Sequence, residues 1–293
     1  MRVGAVLTCA ASMRSVAILG AGDLGATLAR RLAERELARR IVLVDPDDGR
    51  ARGKALDLAQ SGPIEPYDVA IEGAASLDLA GAVDLIAIAD PPALDEEPLS
   101  RSRAGEWIAS VVARLGAATL LVARSGGLAL VEAAVERGVP RERVLGSGPL
   151  AFAAAVRQRL AEDLGASPRE TSVLVLGAPP ASAVVPREGA TVAGVPGDRL
   201  SPVALRRALD GASRRSPGPV ALAAAATRVV AALSSARAAT LTVATVLQGE
   251  YGHRGVALAV PARIAGGRVQ RDLDHRLDPV DRIALDNAAA RRR

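Results

Sequence analysis

Short apolar runs alternate with amphipathic segments along the first half of the chain. Residues 16–19 form the first apolar run, and Leu24, Leu28 and Leu32 then recur at helical spacing. The same alternation predicts strands over 41–44, 69–71, 85–89, 119–122 and 144–145, and helices near 50–60, 100–115 and 128–138. Because strands alternate with helices, we predict a parallel, doubly wound sheet with right-handed crossovers.

The pattern changes after about residue 147. It predicts helices over 150–164, 201–213, 220–235 and 279–290, a strand over 173–176 and antiparallel strands over 239–247 and 255–264. We therefore predict an α/β chain with a dinucleotide-binding domain over 13–147, an α+β domain over 148–293 and an extension over 1–12. No linker separates the two domains, so we expect them to pack tightly.

Composition excludes several classes of protein. Of the 293 residues, 49% are apolar and 24% are charged, which excludes a disordered chain. Cys9 is the only cysteine, which excludes a disulfide scaffold. No run approaches the ~20 apolar residues that a membrane span needs. Residues 1–12 lack the long apolar run of a signal peptide, so we expect a cytoplasmic protein.

Charge and histidine content argue against two further kinds of site. The net charge is +5, but the arginines are scattered among carboxylates and only four residues are aromatic. Nucleic-acid binding needs a basic surface, commonly with stacking aromatics, so we do not predict it. Two histidines and one cysteine do not favour a zinc site, so we predict no metal. We expect His253 and His275 to be surface residues rather than catalytic bases.

A glycine-rich motif joins the first predicted strand to the first predicted helix. Its residues, which we predict to contact a cofactor, are Gly20, Ala21, Gly22, Asp23, Leu24 and Gly25. Asp45 follows the next strand, as in dinucleotide-binding units, and can accept hydrogen bonds from ribose hydroxyls. This carboxylate would repel a 2′-phosphate, which favours NAD over NADP. The alternative is a glycine turn that binds no ligand.

The chain resembles the lactate/malate dehydrogenase family, closest to the lactate-dehydrogenase-like malate dehydrogenases. The matching stretches are VAILGAGDLGATLARRLAERELA from Val16, LVDPDDGRARGKALDLAQSGPIEPYDV from Leu43 and VLQGEYGHRGVALAVPARI from Val246. The resemblance implies an NAD-binding Rossmann domain, an α+β substrate domain and at least a dimer. It also leads us to expect cofactor contacts at Ala89, which ends the strand predicted over 85–89, and at Ala123, which follows the strand predicted over 119–122.

The resemblance further implies a catalytic histidine held by an aspartate, and an arginine that clamps the substrate carboxylate. In this sequence Pro179 stands at the histidine position, Phe152 at the aspartate position and Ala155 at the position of the clamping arginine. Arg124 stands where the family has an asparagine. Each of the three polar groups is therefore replaced by an apolar residue.

The family also carries an arginine on a mobile loop, which polarises the substrate carbonyl. Here the loop covers 91–101, and Arg101 aligns with that arginine as the only retained catalytic candidate. Glu96 or Glu97 then occupies the position that selects the substrate, where malate enzymes carry an arginine. A carboxylate at this point would repel a dicarboxylate.

Three hypotheses about function follow. The first is a pseudo-dehydrogenase that binds NAD(H) without catalysis, as a redox sensor or as the non-catalytic partner of an intact paralogue in a mixed oligomer. The second is an active NAD-dependent oxidoreductase, which uses Arg101 or water for proton transfer on a 2-hydroxy acid or another alcohol. The third is a structural protein that binds no nucleotide.

Overall fold

The computed structural model describes residues 13–94, 99–272 and 275–292, with no side-chain placement for Arg271 and Asp272. The predicted extension over 1–12 and the predicted specificity residues Glu96 and Glu97 lie outside the described residues.

The first half forms a six-stranded parallel sheet with helices on both faces. Its strands are β1 (Met13–Leu19), β2 (Ala38–Val44), β3 (Ala70–Ala74), β4 (Leu85–Ile88), β5 (Thr119–Val122) and β6 (Val144–Gly146). Its helices are α1 (Asp23–Glu34), α2 (Asp48–Ser61), α3 (Arg101–Leu115) and α4 (Leu128–Glu136). The strand order β3-β2-β1-β4-β5-β6 confirms the predicted doubly wound sheet.

The second half mixes helices with short strands. Its helices are α5 (Gly148–Asp163), α6 (Pro202–Ser213), α7 (Pro219–Ser234) and α8 (Pro279–Ala290). Its strands are β7 (Thr171–Val173), β8 (Leu176–Ala178), β9 (Ser182–Val184), β10 (Ala190–Val192), β11 (Val195–Pro196), β12 (Ala239–Gln248), β13 (Arg254–Ala265) and β14 (Arg268–Asp272). Single 3-10 turns cover Leu77–Ala80, Pro92–Leu94, Arg141–Arg143, Arg187–Gly189 and Glu250–Gly252.

One sheet runs through both halves. Strand β12 pairs with β6 at Ala244 and Gly146, and the order continues β6-β12-β13-β8-β9, with β14 on the side of β13. Strands β11, β10 and β7 form a separate small sheet. The single strand predicted over 173–176 is therefore wrong. That apolar run serves two sheets, because β7 ends at Val173 and β8 begins at Leu176.

The core lies on both faces of the parallel sheet. Alternate residues of β1 point to opposite faces: Ala17 and Leu19 belong to the cluster under α3 and α4, and Val16 and Ile18 to the cluster under α1 and α7. Burial on both faces explains why the inner strands β1, β4 and β5 read as continuous apolar runs in the sequence. No helix in the described part of the chain is long and apolar enough to cross a membrane.

Candidate functional site

The glycine loop, residues 20–25, connects β1 to α1 by a close turn. Gly20 has a φ of +96°, a conformation that L side chains rarely adopt. A Cβ on Gly25 would lie 1.9 Å from the carbonyl oxygen of Gly20, so only glycine allows α1 to approach the strand this closely. Ala21 and Leu24 are buried and Asp23 is exposed. The loop thus has the backbone shape that a dinucleotide-binding unit needs.

The carboxylate of Asp90 occupies the start of α1. Its Oδ2 accepts a hydrogen bond from the backbone N–H of Leu24 at 2.9 Å, and its Oδ1 accepts one from Gly25 at 3.1 Å. A Cβ on Gly22 would lie 2.3 Å from the same Oδ2. Burial raises the pKa of Asp90, while the N–H groups of Leu24, Gly25 and Gly22 act in the opposite direction.

Sequence reasoning missed Asp90. Strand β4, which ends two residues before it, pairs in parallel with β1, which ends at the glycine loop. An acidic residue directly after a strand that neighbours a glycine loop is the signal that would have found it.

Asp45 lies beneath the glycine loop rather than on its outer side. It is fully buried, its Oδ2 accepts a hydrogen bond from the N–H of Ala21 at 3.0 Å, and its Oδ1 accepts one from Asp47 at 3.0 Å. In this position the carboxylate ties the end of β2 to the loop. Its role as the acceptor of ribose hydroxyls stays a prediction.

An apolar slot of about 270 Å³ opens beside the loop, at the carboxyl ends of β1 and β2. Among the residues that line it are Leu19, Val44, Pro46, Pro91 and Trp107. Its volume lies near the lower end of the ~300–1,000 Å³ typical of small-molecule sites, which is the scale of a nucleoside-sized group. The adenosine end of a dinucleotide therefore fits the described residues, whereas its pyrophosphate does not fit the loop while Asp90 holds the N–H groups of Leu24 and Gly25.

Two further predicted cofactor contacts, Ala89 and Ala123, extend the strands that precede them. The N–H of Ala89 bonds to the carbonyl of Leu19 at 3.0 Å, and that of Ala123 to the carbonyl of Ile88 at 2.8 Å. Both side chains are buried. Their contact with a cofactor stays a prediction.

The residues at the predicted catalytic positions surround a much smaller cavity, at the carboxyl ends of β5 and β6. Phe152, Pro179, Pro180 and Arg124 all line it, and its volume is about 20 Å³. That is about enough for a single water molecule. Ala155 lies about one helical turn beyond Phe152 on α5 and is not among the residues that line the cavity; it packs against a core cluster that includes Phe152, Val156 and Leu160. The structure thus brings together three of the four positions.

Arg101 is held in an ion-pair network at the start of α3. Its Nη2 lies 3.1 Å from Oε2 of Glu132 and 3.7 Å from Oε1 of Glu136. Glu132 is buried, and it also accepts hydrogen bonds from the guanidinium of Arg292 at 2.6 Å and from the N–H of Ala257 at 2.9 Å. In this arrangement Arg101 joins α3 to α4. Its catalytic role stays a prediction.

The prediction that His253 is a surface residue is wrong. Its side chain is 11% exposed, and its Nε2 lies 2.9 Å from Oδ1 of Asp286. The reason is that the turn between β12 and β13 folds under α8, which carries Asp286. His275 is exposed, as predicted. Neither histidine is among the described residues that line the small cavity. Within the described ranges, no group of three histidine, cysteine or acidic residues is placed to hold a metal ion.

Comparison with known proteins places both halves in one family. Residues 14–93 match the family model described as lactate/malate dehydrogenase, NAD binding domain. The malate dehydrogenases of Chlorobium phaeobacteroides (strain DSM 266) and Thermomicrobium roseum are each 31% identical over 294 residues, which cover 94% of this chain and 95% of each relative.

Solved structures agree with the sequence relatives. The malate dehydrogenase of Salinibacter ruber superposes with a TM-score of 0.85 at 25% identity, covering 94% of both chains. The minor L-lactate dehydrogenase of Enterococcus mundtii superposes with a TM-score of 0.83 at 22% identity, covering 95% of this chain and 96% of that one, which shows a shared fold. This chain belongs to the lactate/malate dehydrogenase family, whose N-terminal domain binds NAD.

Proposed function

We propose that this chain is an NAD(H)-binding pseudo-dehydrogenase, which keeps the cofactor domain of its family and does not turn over malate or lactate. The observation that carries the proposal is the cavity of about 20 Å³ beside Phe152 and Pro179. A volume that holds about one water molecule does not admit a 2-hydroxy acid.

The chemistry of the lining supports the same proposal. Phe152, Pro179 and Ala155 offer no group that can exchange a proton or bind a carboxylate. Loss of acid–base help typically lowers a rate by ~10²–10⁴. Loss of a carboxylate clamp adds about 2–5 kcal/mol, although such effects do not add simply. Replacing only the histidine would leave a buried, unpaired aspartate, and Phe152 avoids that cost.

The biological role that we infer is either redox sensing or partnership with an intact paralogue in a mixed oligomer. Both roles use NAD(H) binding without consuming it. The oligomer, the paralogue and the cytoplasmic location stay predictions from the sequence.

The test is a calorimetric titration with NADH, followed by an absorbance assay with oxaloacetate and pyruvate on the same sample. We expect heat of binding and no NADH consumption above a protein-free blank, with an active malate dehydrogenase as the positive control. Robust turnover of either substrate would overturn the proposal. Absence of any thermal shift with NAD or NADH would favour a structural protein, because ligand at 100 times its Kd stabilises by ~2.7 kcal/mol.

A second candidate is an active dehydrogenase with a rearranged site. It is favoured by the relatives at 31% identity, which are named malate dehydrogenases. Proton transfer would then use Arg101 or water, and the Arg101 route requires this arginine to leave Glu132 and face a substrate. If hydroxy acids or alcohols give NADH formation, its loss in Arg101→Ala but not in the neighbouring Arg103→Ala implicates Arg101, and its persistence in Arg101→Ala points to water.

A further inference from the structure

The sheet itself sets Asp90 against the glycine loop. In the parallel pair of β1 and β4, Leu19 lies opposite Ile88, and the N–H of Ala89 continues the ladder to the carbonyl of Leu19. Asp90 follows directly, at the level where β1 gives way to the loop. Its backbone lies so close that a Cβ on Gly20 would meet the carbonyl carbon of Asp90 at 2.3 Å.

The Asp90 side chain uses the groups that a phosphate would use. Each of its two oxygens accepts one backbone N–H from the first turn of α1, at 2.9 and 3.1 Å. The start of a helix is the positive end of its dipole, which is where dinucleotide-binding units place the pyrophosphate. A second anion at this point meets a like charge and finds these two donors taken.

We propose that Asp90 is an internal competitor for the pyrophosphate, so that NAD(H) binds only after the Asp90 carboxylate has left the N–H groups of Leu24 and Gly25. The inference rests on the proposed NAD(H) binding and adds the residue that limits it. The adenosine slot remains open while Asp90 holds the loop, because the slot is lined by other side chains.

A matched control lies at the other end of the same strand. The Oδ2 of Asp84 accepts hydrogen bonds from the backbone N–H groups of Arg14 at 2.7 Å and Ser15 at 3.1 Å. Asp84 precedes β4 and Asp90 follows it, so the two carboxylates make similar bonds at opposite edges of the sheet. Replacing Asp84 removes two comparable hydrogen bonds without touching the glycine loop.

The experiment compares the native chain with Asp90→Ala, Asp90→Asn and Asp84→Ala. Affinity for NADH and for adenosine is measured by the fluorescence of Trp107, which is the only tryptophan and lines the slot. We expect the Kd for NADH to fall at least tenfold in both Asp90 variants and to stay within twofold in Asp84→Ala. The Kd for adenosine, which has no phosphate, should be the same in all four proteins.

Backbone amide NMR signals give a second readout. The signals of Leu24 and Gly25 should move in Asp90→Asn, and NADH should move them in the native chain as the carboxylate leaves. Tighter NADH binding by Asp90→Ala but not by Asp90→Asn also supports the inference. The volume of the side chain, rather than its charge, would then be the obstacle to the pyrophosphate. Asp90→Asn keeps that volume and decides the question of charge if Asp90→Ala does not fold.

Two outcomes would overturn the role of Asp90. If both Asp90 variants bind NADH no more tightly than the native chain, Asp90 does not compete with the pyrophosphate. The proposed binding of NADH without turnover is not affected by that result. If NADH binds neither to the native chain nor to any of the variants, the role of Asp90 is overturned. The same result also overturns NAD(H) binding in the proposed function. Turnover of oxaloacetate would overturn only the proposed lack of catalysis. The role of Asp90 would stand, because the ratio of the NADH Kd values of the native chain and the Asp90 variants does not depend on turnover.

Discussion

The two cavities of the candidate site lie at the same edge of one sheet and differ sharply in what they admit. The slot beside β1 and β2 measures about 270 Å³ and is lined by Leu19, the residue before the glycine loop. The cavity beside β5 and β6 measures about 20 Å³ and is bordered by Phe152 and Pro179. The same strand architecture therefore borders a slot of about 270 Å³ at one place and a cavity of about the volume of one water molecule at another. The difference arises from a few side chains after the strand ends, and not from the fold.

The largest effect on stability is expected from Phe152→Ala, which removes the aromatic ring from the lining of the small cavity. The ring is 2% exposed, and truncation of such a buried ring typically lowers the free energy of unfolding by about 3–5 kcal/mol. Urea unfolding measures this loss. The variant should also gain no turnover of oxaloacetate, because a larger cavity supplies no proton carrier.

Leu56→Ala is the control for Phe152→Ala, since Leu56 is 59% exposed on α2 and its truncation should change stability by less than about 0.5 kcal/mol. A loss below 1 kcal/mol at Phe152 would contradict the view that apolar packing closes this cavity. Oxaloacetate turnover by Phe152→Ala would instead contradict the view that the site lacks a proton carrier.

Replacement of two helical glycines by alanine should change the free energy of unfolding by an intermediate amount, with opposite signs at the two positions. Gly25→Ala should destabilise the chain by about 2 kcal/mol or more, because its Cβ would overlap the carbonyl oxygen of Gly20. Gly53→Ala should stabilise it by about 0.5–1 kcal/mol, because nothing lies within 4 Å of a Cβ there and alanine favours a helix. The measurement is the midpoint temperature of thermal unfolding of each variant. Equal shifts of this temperature in Gly25→Ala and Gly53→Ala would contradict the close approach of α1 to β1.

The predictable parts of this molecule are those encoded by neighbouring residues. Strands β1, β2, β4, β5 and β6 are mostly apolar and buried, so the sequence displays them locally, whereas the edge strand β3 is largely exposed. The glycine loop is similarly local, since Gly20 and Gly25 meet within one turn.

The features that sequence reasoning missed depend on residues that are distant in the chain. Asp90 reaches Leu24 across 66 positions, and His253 reaches Asp286 across 33. The residues around His253 do not indicate its partner, and the position of Asp90 after a strand indicates one only once β4 is known to pair with β1. The strands of the small sheet were missed for another reason, because β10 and β11 have only three and two residues and show no clear alternation.

The smallest effect is expected at Asp281, in the helix that supports the closed side. Helix α8 packs against β8 and β9, which flank Pro179 and Pro180. Burial, with the nearby carboxylates of Asp278 and Glu188, raises the pKa of Asp281 to about 6, and Arg187 acts in the opposite direction.

The folded chain thus binds a proton at Asp281 more tightly than the unfolded chain, whose aspartate titrates near 3.9. Its stability therefore falls as pH rises from about 4 to about 6, and the full penalty remains above pH 6.

Asp281→Asn should remove that penalty. Because Asp281 is partly exposed and its charge also favours the start of α8, the gain at about pH 7.5 should stay below roughly 1 kcal/mol and vanish near pH 4. Glu188→Gln, which removes one of the two repelling carboxylates, should give a smaller gain over the same pH range. Urea unfolding at both pH values is the measurement. A difference between Asp281→Asn and the native chain that did not change with pH would mean that this carboxylate gains no proton affinity from its place at the start of α8.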